Sequence, residues 1–196
     1  MARPRKNSNL VATDIRILEA AEHAFGEYGF VRTRLEDIAK DVGIRRPSLL
    51  YHFSTKEELY FTVVRSMFDD LKKTLLGSMG TGTYSERIIR LATEFIQFVD
   101  NRPSFAATLL REMIDGNGPA HDILQKEIVP VLDMLEQYIK IQGQDQLPKG
   151  VSIRAAILQL SSDVLLRAAS GNLRKALWGD QCSIMPLVNQ MFIGKD

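Results

Sequence analysis

A chain of 196 residues that is 45% hydrophobic and 25% charged is long enough to bury a core, as one compact unit or two small ones. Its single cysteine, Cys182, excludes an intrachain disulfide framework, and no uncharged apolar run approaches the roughly 18 residues that cross a bilayer. The net charge of +1 announces no polyanionic partner, but residues 1–56 carry ten Lys or Arg against seven Asp or Glu and residues 57–196 carry fifteen against seventeen, so a mildly basic front precedes a mildly acidic body.

Residues 1–10 are polar and basic, with Arg3, Arg5 and Lys6. They read as a flexible tail, or as a basic arm that follows phosphates. No apolar secretory core follows, because Thr13, Asp14 and Arg16 interrupt too soon; a cytoplasmic location is expected. Thr13 is expected to cap a first helix running to about Tyr28, since Ile15, Leu18, Ala21, Phe25 and Tyr28 recur at helical spacing and Gly29 follows. His23 falls on its polar side. Next comes TRLEDIAKDVGIRRPSLLYHFSTK, residues 33–56. Thr33 and Glu36 have the spacing of a capping box. Leu35, Ile38, Ala39 and Val42 share one helical face, and Gly43 can end that helix in a left-handed conformation. Pro47 is tolerated in the first turn of a second helix, which runs through Phe53. A helix, a glycine turn and a second helix form a helix-turn-helix, whose second helix can lie in the major groove of DNA.

At this point the chain resembles a known family. In order and spacing, TRLEDIAKDVGIRRPSLLYHFSTKEEL is similar to the DNA-binding signature of TetR-family (tetracycline-repressor-like) transcriptional regulators. The matching features are Thr33 ahead of Ile38-Ala39, Gly43-Ile44 at the turn, Leu50-Tyr51-His52-Phe53, and then Lys56-Glu57-Glu58-Leu59. The detailed likeness covers the first third of the chain. Arg45 departs from it: the family often has serine or threonine there, so a capping hydroxyl is replaced by a positive charge. The resemblance implies an all-α protein. Its DNA-binding domain would occupy residues 11–71, with the helix-turn-helix at 34–53 and the linking helix included, and a helical regulatory and dimerisation domain would occupy residues 72–196. It also implies a double-stranded DNA operator as partner. Arg45 and Arg46 are then candidates for guanine edges or phosphate, and Ser48 and Leu49 for base edges or thymine methyls. Tyr51, His52 and Lys56 match family positions that hold the DNA backbone, and Thr33 matches a further phosphate contact. Leu50 and Phe53 are expected to pack the small core.

Ser54-Thr55 opens a helix to about Leu76, rich in core-type residues from Leu59 to Leu71. The glycine-rich stretch 77–83 follows a helix and has no Gly-Lys-Ser/Thr, so it reads as a connector and not as a phosphate loop. Thr83 with Glu86 forms a second capping-box pattern, opening a helix to about Val99. Pro103 opens another to Ile114. A long apolar pattern spans Ile123 to Ile141, with Pro130 expected to kink or split it. Further helices are expected at Val151 to Ala169, Asn172 to Trp178 and Ile184 to Ile193.

The helix from Val151 is apolar almost all round, which implies burial on all sides, either by a core on one and a second subunit on the other or as the central helix of a monomer. The resemblance agrees, since the last two long helices usually pair with their copies. A homodimer is expected, with Ile153, Ile157, Leu160, Val164, Leu187 and Met191 at its interface. The family usually keeps a ligand cavity in the preceding helices. Phe95, Phe98, Phe105 and Met113 are the lining expected for a small, mostly apolar effector. His121, with Glu112, Asp115 and Asp122 nearby, matches no metal-ligand spacing and reads as a solvated loop residue. No catalytic constellation and no cofactor site are evident. The expected function is a ligand-responsive regulator, most simply a repressor released from a palindromic operator by its effector. A helix-turn-helix used for protein docking, and a helical enzyme with an unrecognised site, remain open alternatives.

Overall fold

The computed structural model describes residues 6–116, 118–148, 150, 152–179 and 183–193. Arg3 and Arg5 of the basic tail, and Cys182, lie outside them. The described residues form ten α-helices and one 3-10 turn, without a strand: α1 (Lys6–Arg32), α2 (Leu35–Val42), α3 (Arg46–His52), α4 (Lys56–Ser78), α5 (Tyr84–Asn101), α6 (Pro103–Asp115), α7 (His121–Gly143), the turn Gln144–Gln146, α8 (Ile153–Ala169), α9 (Leu173–Trp178) and α10 (Met185–Phe192). None of the described helices is long and apolar enough to cross a membrane.

The head forms where α1, α2, α3 and the start of α4 share one core. Ile17, Ala21 and Phe25 of α1 meet Ile38 and Val42 of α2, Leu49 of α3, and Leu59 and Val63 of α4. α1 begins earlier than Thr13, at Lys6, and breaks where expected, at Gly29, whose φ of 75° and ψ of 168° no helix admits. Gly43 takes the left-handed conformation (φ 75°) and turns the chain into α3. Pro47 sits in the first turn of α3, and Arg45, its N-cap residue, offers no side-chain cap. Thr55 caps α4 by accepting from the Glu58 N–H at 3.0 Å.

α4 leaves the head and packs against α5 and α7 of the body. The Thr83–Glu86 box is reciprocal: the Thr83 N–H donates to Glu86 at 2.8 Å and the Glu86 N–H to the Thr83 hydroxyl at 3.3 Å. α7 runs unbroken through Pro130, so the proline does not split it. α6 packs on α1 of the head and on α8 of the body. Together with α4 it joins the two regions.

Candidate nucleic-acid interface and ligand cavity

α3 has only seven residues, too short to persist without packing. Leu49 and Phe53 anchor it in the head core. Leu49 is 0% exposed, so the expectation that it faces base edges is corrected. The opposite stripe is what faces solvent. Arg45, Ser48 and Tyr51 recur at three-residue spacing, all exposed, with Tyr51 78% accessible. Arg46 lies beside this stripe, its Nε 3.0 Å from Glu36 Oε1.

Arg46 also borders a shallow cleft between the starts of α2 and α4, lined by Arg34, Leu50, Ser54, Thr55 and Lys56. Lys56 is partly committed within the chain. Its amine donates to the Val31 carbonyl at 3.3 Å and stands 4.5 Å from the centre of the Phe30 ring. Burial holds that amine below the ordinary lysine range, with Glu57 opposing the shift.

Two residues expected at the DNA backbone are engaged within the chain. His52 is mostly buried, and its Nδ1 lies 2.5 Å from Asp14 Oδ1. A carboxylate only accepts, so Nδ1 carries the proton, and the ring braces α3 to α1. Thr33 forms no capping box. The N-cap residue of α2 is Arg34, and the Thr33 hydroxyl, 3% exposed, donates to the Gly29 carbonyl at 2.7 Å with the Ala24 carbonyl at 3.1 Å. It closes the end of α1, beside the cleft that Arg46 and Lys56 border. Thr33→Ala is therefore expected to lower stability by about 1 kcal/mol and leave the DNA affinity of the folded protein unchanged. Paired thermal melts and DNA titrations check this; lost affinity at an unchanged melting temperature would return Thr33 to the interface.

In the body, α4, α5, α6, α7, α8 and α10 line a partly open cavity of about 190 Å³. Phe95, Phe105 and Met113 line it, as expected. Phe98 is not among its lining residues: its ring packs edge-on to Phe105 at 5.3 Å, under the Arg102 guanidinium. Every other lining residue is apolar except Ser161 and Ser162, so the walls suit an apolar molecule.

α6 connects this cavity to the head. One side of the helix supplies Phe105, Leu109 and Met113 to the cavity. The other grips α1. Arg102 bonds Glu22 at 3.0 and 2.5 Å and reaches Asp70 of α4 at 2.9 Å, and Ser104 donates to Glu22 at 2.9 Å. Arg111 donates to the Phe25 carbonyl at 3.0 Å, in the turn before the Gly29 break. Glu112 is only 3% exposed; its carboxylate accepts from the Tyr60 hydroxyl at 2.6 Å and from the Ala120 N–H at 3.2 Å. Burial first, then this hydrogen bond, push the Tyr60 phenol far above its ordinary range. Sequence reasoning missed this clamp because its partners lie 32 to 86 residues apart.

The six residues expected at a subunit interface have different surroundings within the chain. Ile157, Leu160 and Val164 are buried in the chain's own core and line the cavity. Ile153 and Met191 are half-buried against that core, and Leu187 is exposed. The large apolar residues α8 leaves to solvent are Leu158 and Leu166, joined by Leu173 and Leu177 of α9. A helix apolar all round does not declare which arc faces inward.

The profile described as "Bacterial regulatory proteins, tetR family" matches residues 17–63. The chain is 32% identical over 139 residues to the biofilm operon icaADBC HTH-type negative transcriptional regulator IcaR of Staphylococcus aureus, covering 66% of this chain and 74% of that protein. It is 47% identical over 53 residues to the HTH-type transcriptional regulator RutR of Escherichia coli, covering 27% of this chain and 25% of that one. Among solved structures, the ketosteroid transcriptional regulator KstR2 of Mycobacterium tuberculosis superposes with a TM-score of 0.72 at 19% identity, over 93% of this chain and 95% of that one. AibR, solved in complex with isovaleryl coenzyme A and operator DNA, superposes with a TM-score of 0.71 at 19% identity, over 92% and 98%. With its helix-turn-helix head and all-α architecture, the chain belongs to the TetR family of DNA-binding transcriptional regulators.

Proposed function

We propose that this regulator is a homodimeric repressor released from a palindromic operator by a small, mostly apolar effector. The observation that carries the reading is α6, which walls the cavity on one side and clamps the DNA-reading head on the other. A ligand that favours one setting of α6 also favours one setting of α1, and linkage makes the effect reciprocal. IcaR, the similar S. aureus protein, is a negative regulator, and AibR was solved with both an acyl coenzyme A and operator DNA. The first supports repression and the second a joint response to ligand and DNA.

In this reading residues 11–71 form the head, residues 72–196 the regulatory domain, and α4 spans the division. Arg45, Ser48 and Tyr51 face the groove, with Arg46 at its edge. Lys56 turns from the Val31 carbonyl to a phosphate. A twofold pair is held through Leu158, Leu166 and Leu187, because a seven-residue reading helix gains affinity by doubling. Operator retention with and without a metabolite panel tests the reading; compounds that bind the protein but never change DNA affinity would remove the ligand response.

Arg46→Ala separates two roles for that side chain. The exposed Glu36 pair contributes little to stability, so folding should be unchanged. A base-reading Arg46 should lose about 1–3 kcal/mol at one base position and relax the preference there. A uniform loss across all sequences in a binding-site selection would make it a phosphate contact instead.

A further inference from the structure

The cleft between the starts of α2 and α4 gathers three cationic side chains, Arg34, Arg46 and Lys56, around the carboxylate of Glu36. Each oxygen of that carboxylate faces one arginine. Arg34 Nε stands 3.8 Å from Glu36 Oε2, and Arg46 Nε stands 3.0 Å from Glu36 Oε1. Glu36 is the second residue of α2, where the free backbone N–H groups of a helix favour a negative side chain. α2 itself is fixed in the head core by Leu35, Ile38, Ala39 and Val42. The carboxylate is thus mounted on a rigid element and held between two positive charges.

Arg46 is the first residue of α3, and its side chain is about half exposed. The guanidinium nitrogen nearest Glu36 is Nε, which leaves the two terminal nitrogens for another partner. Among the described residues no other group pairs with Arg46. An exposed ion pair adds little to stability. A negative charge in this cleft also subtracts from its attraction for phosphate. What Glu36 supplies is direction. A free surface arginine has many rotamers to lose on binding, whereas one held at Nε has fewer. Its terminal fork is the part that matches O6 and N7 of guanine.

We propose that Glu36 is a positioning residue that sets sequence preference: it holds Arg46 so that the terminal fork of the guanidinium meets one base edge. This rests on the reading of Arg46 as a base contact and adds the group that orients it. The same carboxylate discounts binding to phosphate alone. It therefore lowers affinity for DNA in general and raises the ratio of operator to non-specific binding.

The test uses the full chain and a duplex site that it selects from random DNA. Titrations of that site, of its single-base variants and of an unrelated duplex then compare Glu36→Gln, Arg46→Ala and the double variant. Glutamine keeps the size and nearly the helix propensity of glutamate, so Glu36→Gln should melt with the parent. Arg46→Ala is expected to lose about fivefold or more of the preference at one base pair. Glu36→Gln is expected to lose about threefold to tenfold at the same pair, and to bind the unrelated duplex up to about threefold more tightly at low salt. The double variant should lose no more preference than Arg46→Ala alone, because Glu36 acts through Arg46. Glu57→Gln, an exposed acid in the first turn of α4, makes the same charge change and should leave the base preference intact. Glu36→Gln with an unchanged preference at the pair read by Arg46 overturns the proposal. So does an equal loss from Glu36→Gln when Arg46 is already alanine, or the same loss from Glu57→Gln. Those results remove Glu36 alone. If Arg46→Ala weakens every sequence alike, Arg46 is no base contact, and that reading fails together with the proposal.

Discussion

Leu49→Ala is expected to destabilise the head by about 2–5 kcal/mol and abolish specific DNA binding at temperatures where the body remains helical. Leu49 is fully buried, and with Phe53 it fixes a helix of seven residues to the core formed by α1, α2 and α4. Truncation leaves a cavity that so short a helix cannot collapse to fill without moving the stripe that faces DNA. A melt followed by circular dichroism should show an earlier transition, and a gel shift should show lost retention of every sequence. If the melt were unchanged and only discrimination at a thymine were lost, Leu49 would be a base reader after all.

Gly26→Ala should have the second large effect, through the seam between head and body. A Cβ at Gly26 would stand 2.5 Å from the Ser104 Cβ and 2.6 Å from the Ser104 Cα. A backbone atom cannot swing aside, so α1 and α6 must separate. Overpacking of this kind costs about 1–3 kcal/mol, partly offset by the better helix propensity of alanine. The displacement falls between the Glu22–Arg102 bonds and the Arg111 contact with the Phe25 carbonyl, so it loosens the grip of α6 on α1. The coupling between effector and operator is expected to fall by about 0.5–2 kcal/mol, read as the ratio of DNA Kd with and without effector. An unchanged ratio in a destabilised variant would mean that coupling travels through α4 alone.

What the sequence disclosed, and what it withheld, follows from the range of the interactions. Gly43, Pro47 and the Thr83–Glu86 box act within a few residues, and each stands in the structure as its local pattern implied. Thr33 and Glu36 have the same spacing as Thr83 and Glu86, yet no box forms. The end of α1 brings the Gly29 carbonyl to the Thr33 hydroxyl first. Periodicity was ambiguous for α3, where Leu49, Leu50, Tyr51 and Phe53 are all apolar enough for a core, and only packing shows that Tyr51 faces out. The same holds for α8. Partners distant in sequence were invisible: His52 with Asp14, Arg102 with Glu22, Tyr60 with Glu112. The cavity was expected as a region from the family resemblance and not from the residues, whose aromatic and methionine pattern equally suits a packed core; the diversion of Phe98 to Phe105 and Arg102 was not legible at all.

The central claim is that the exposed stripe of α3, doubled by a twofold axis, reads duplex DNA. Selection of binding sites from random double-stranded DNA by the full chain tests it most directly. The account predicts enrichment of a twofold-symmetric sequence whose half-sites lie on successive or neighbouring turns of one duplex, retained by two copies of the chain. Recovery of no preferred sequence, or of an asymmetric one held by a single copy, would contradict it.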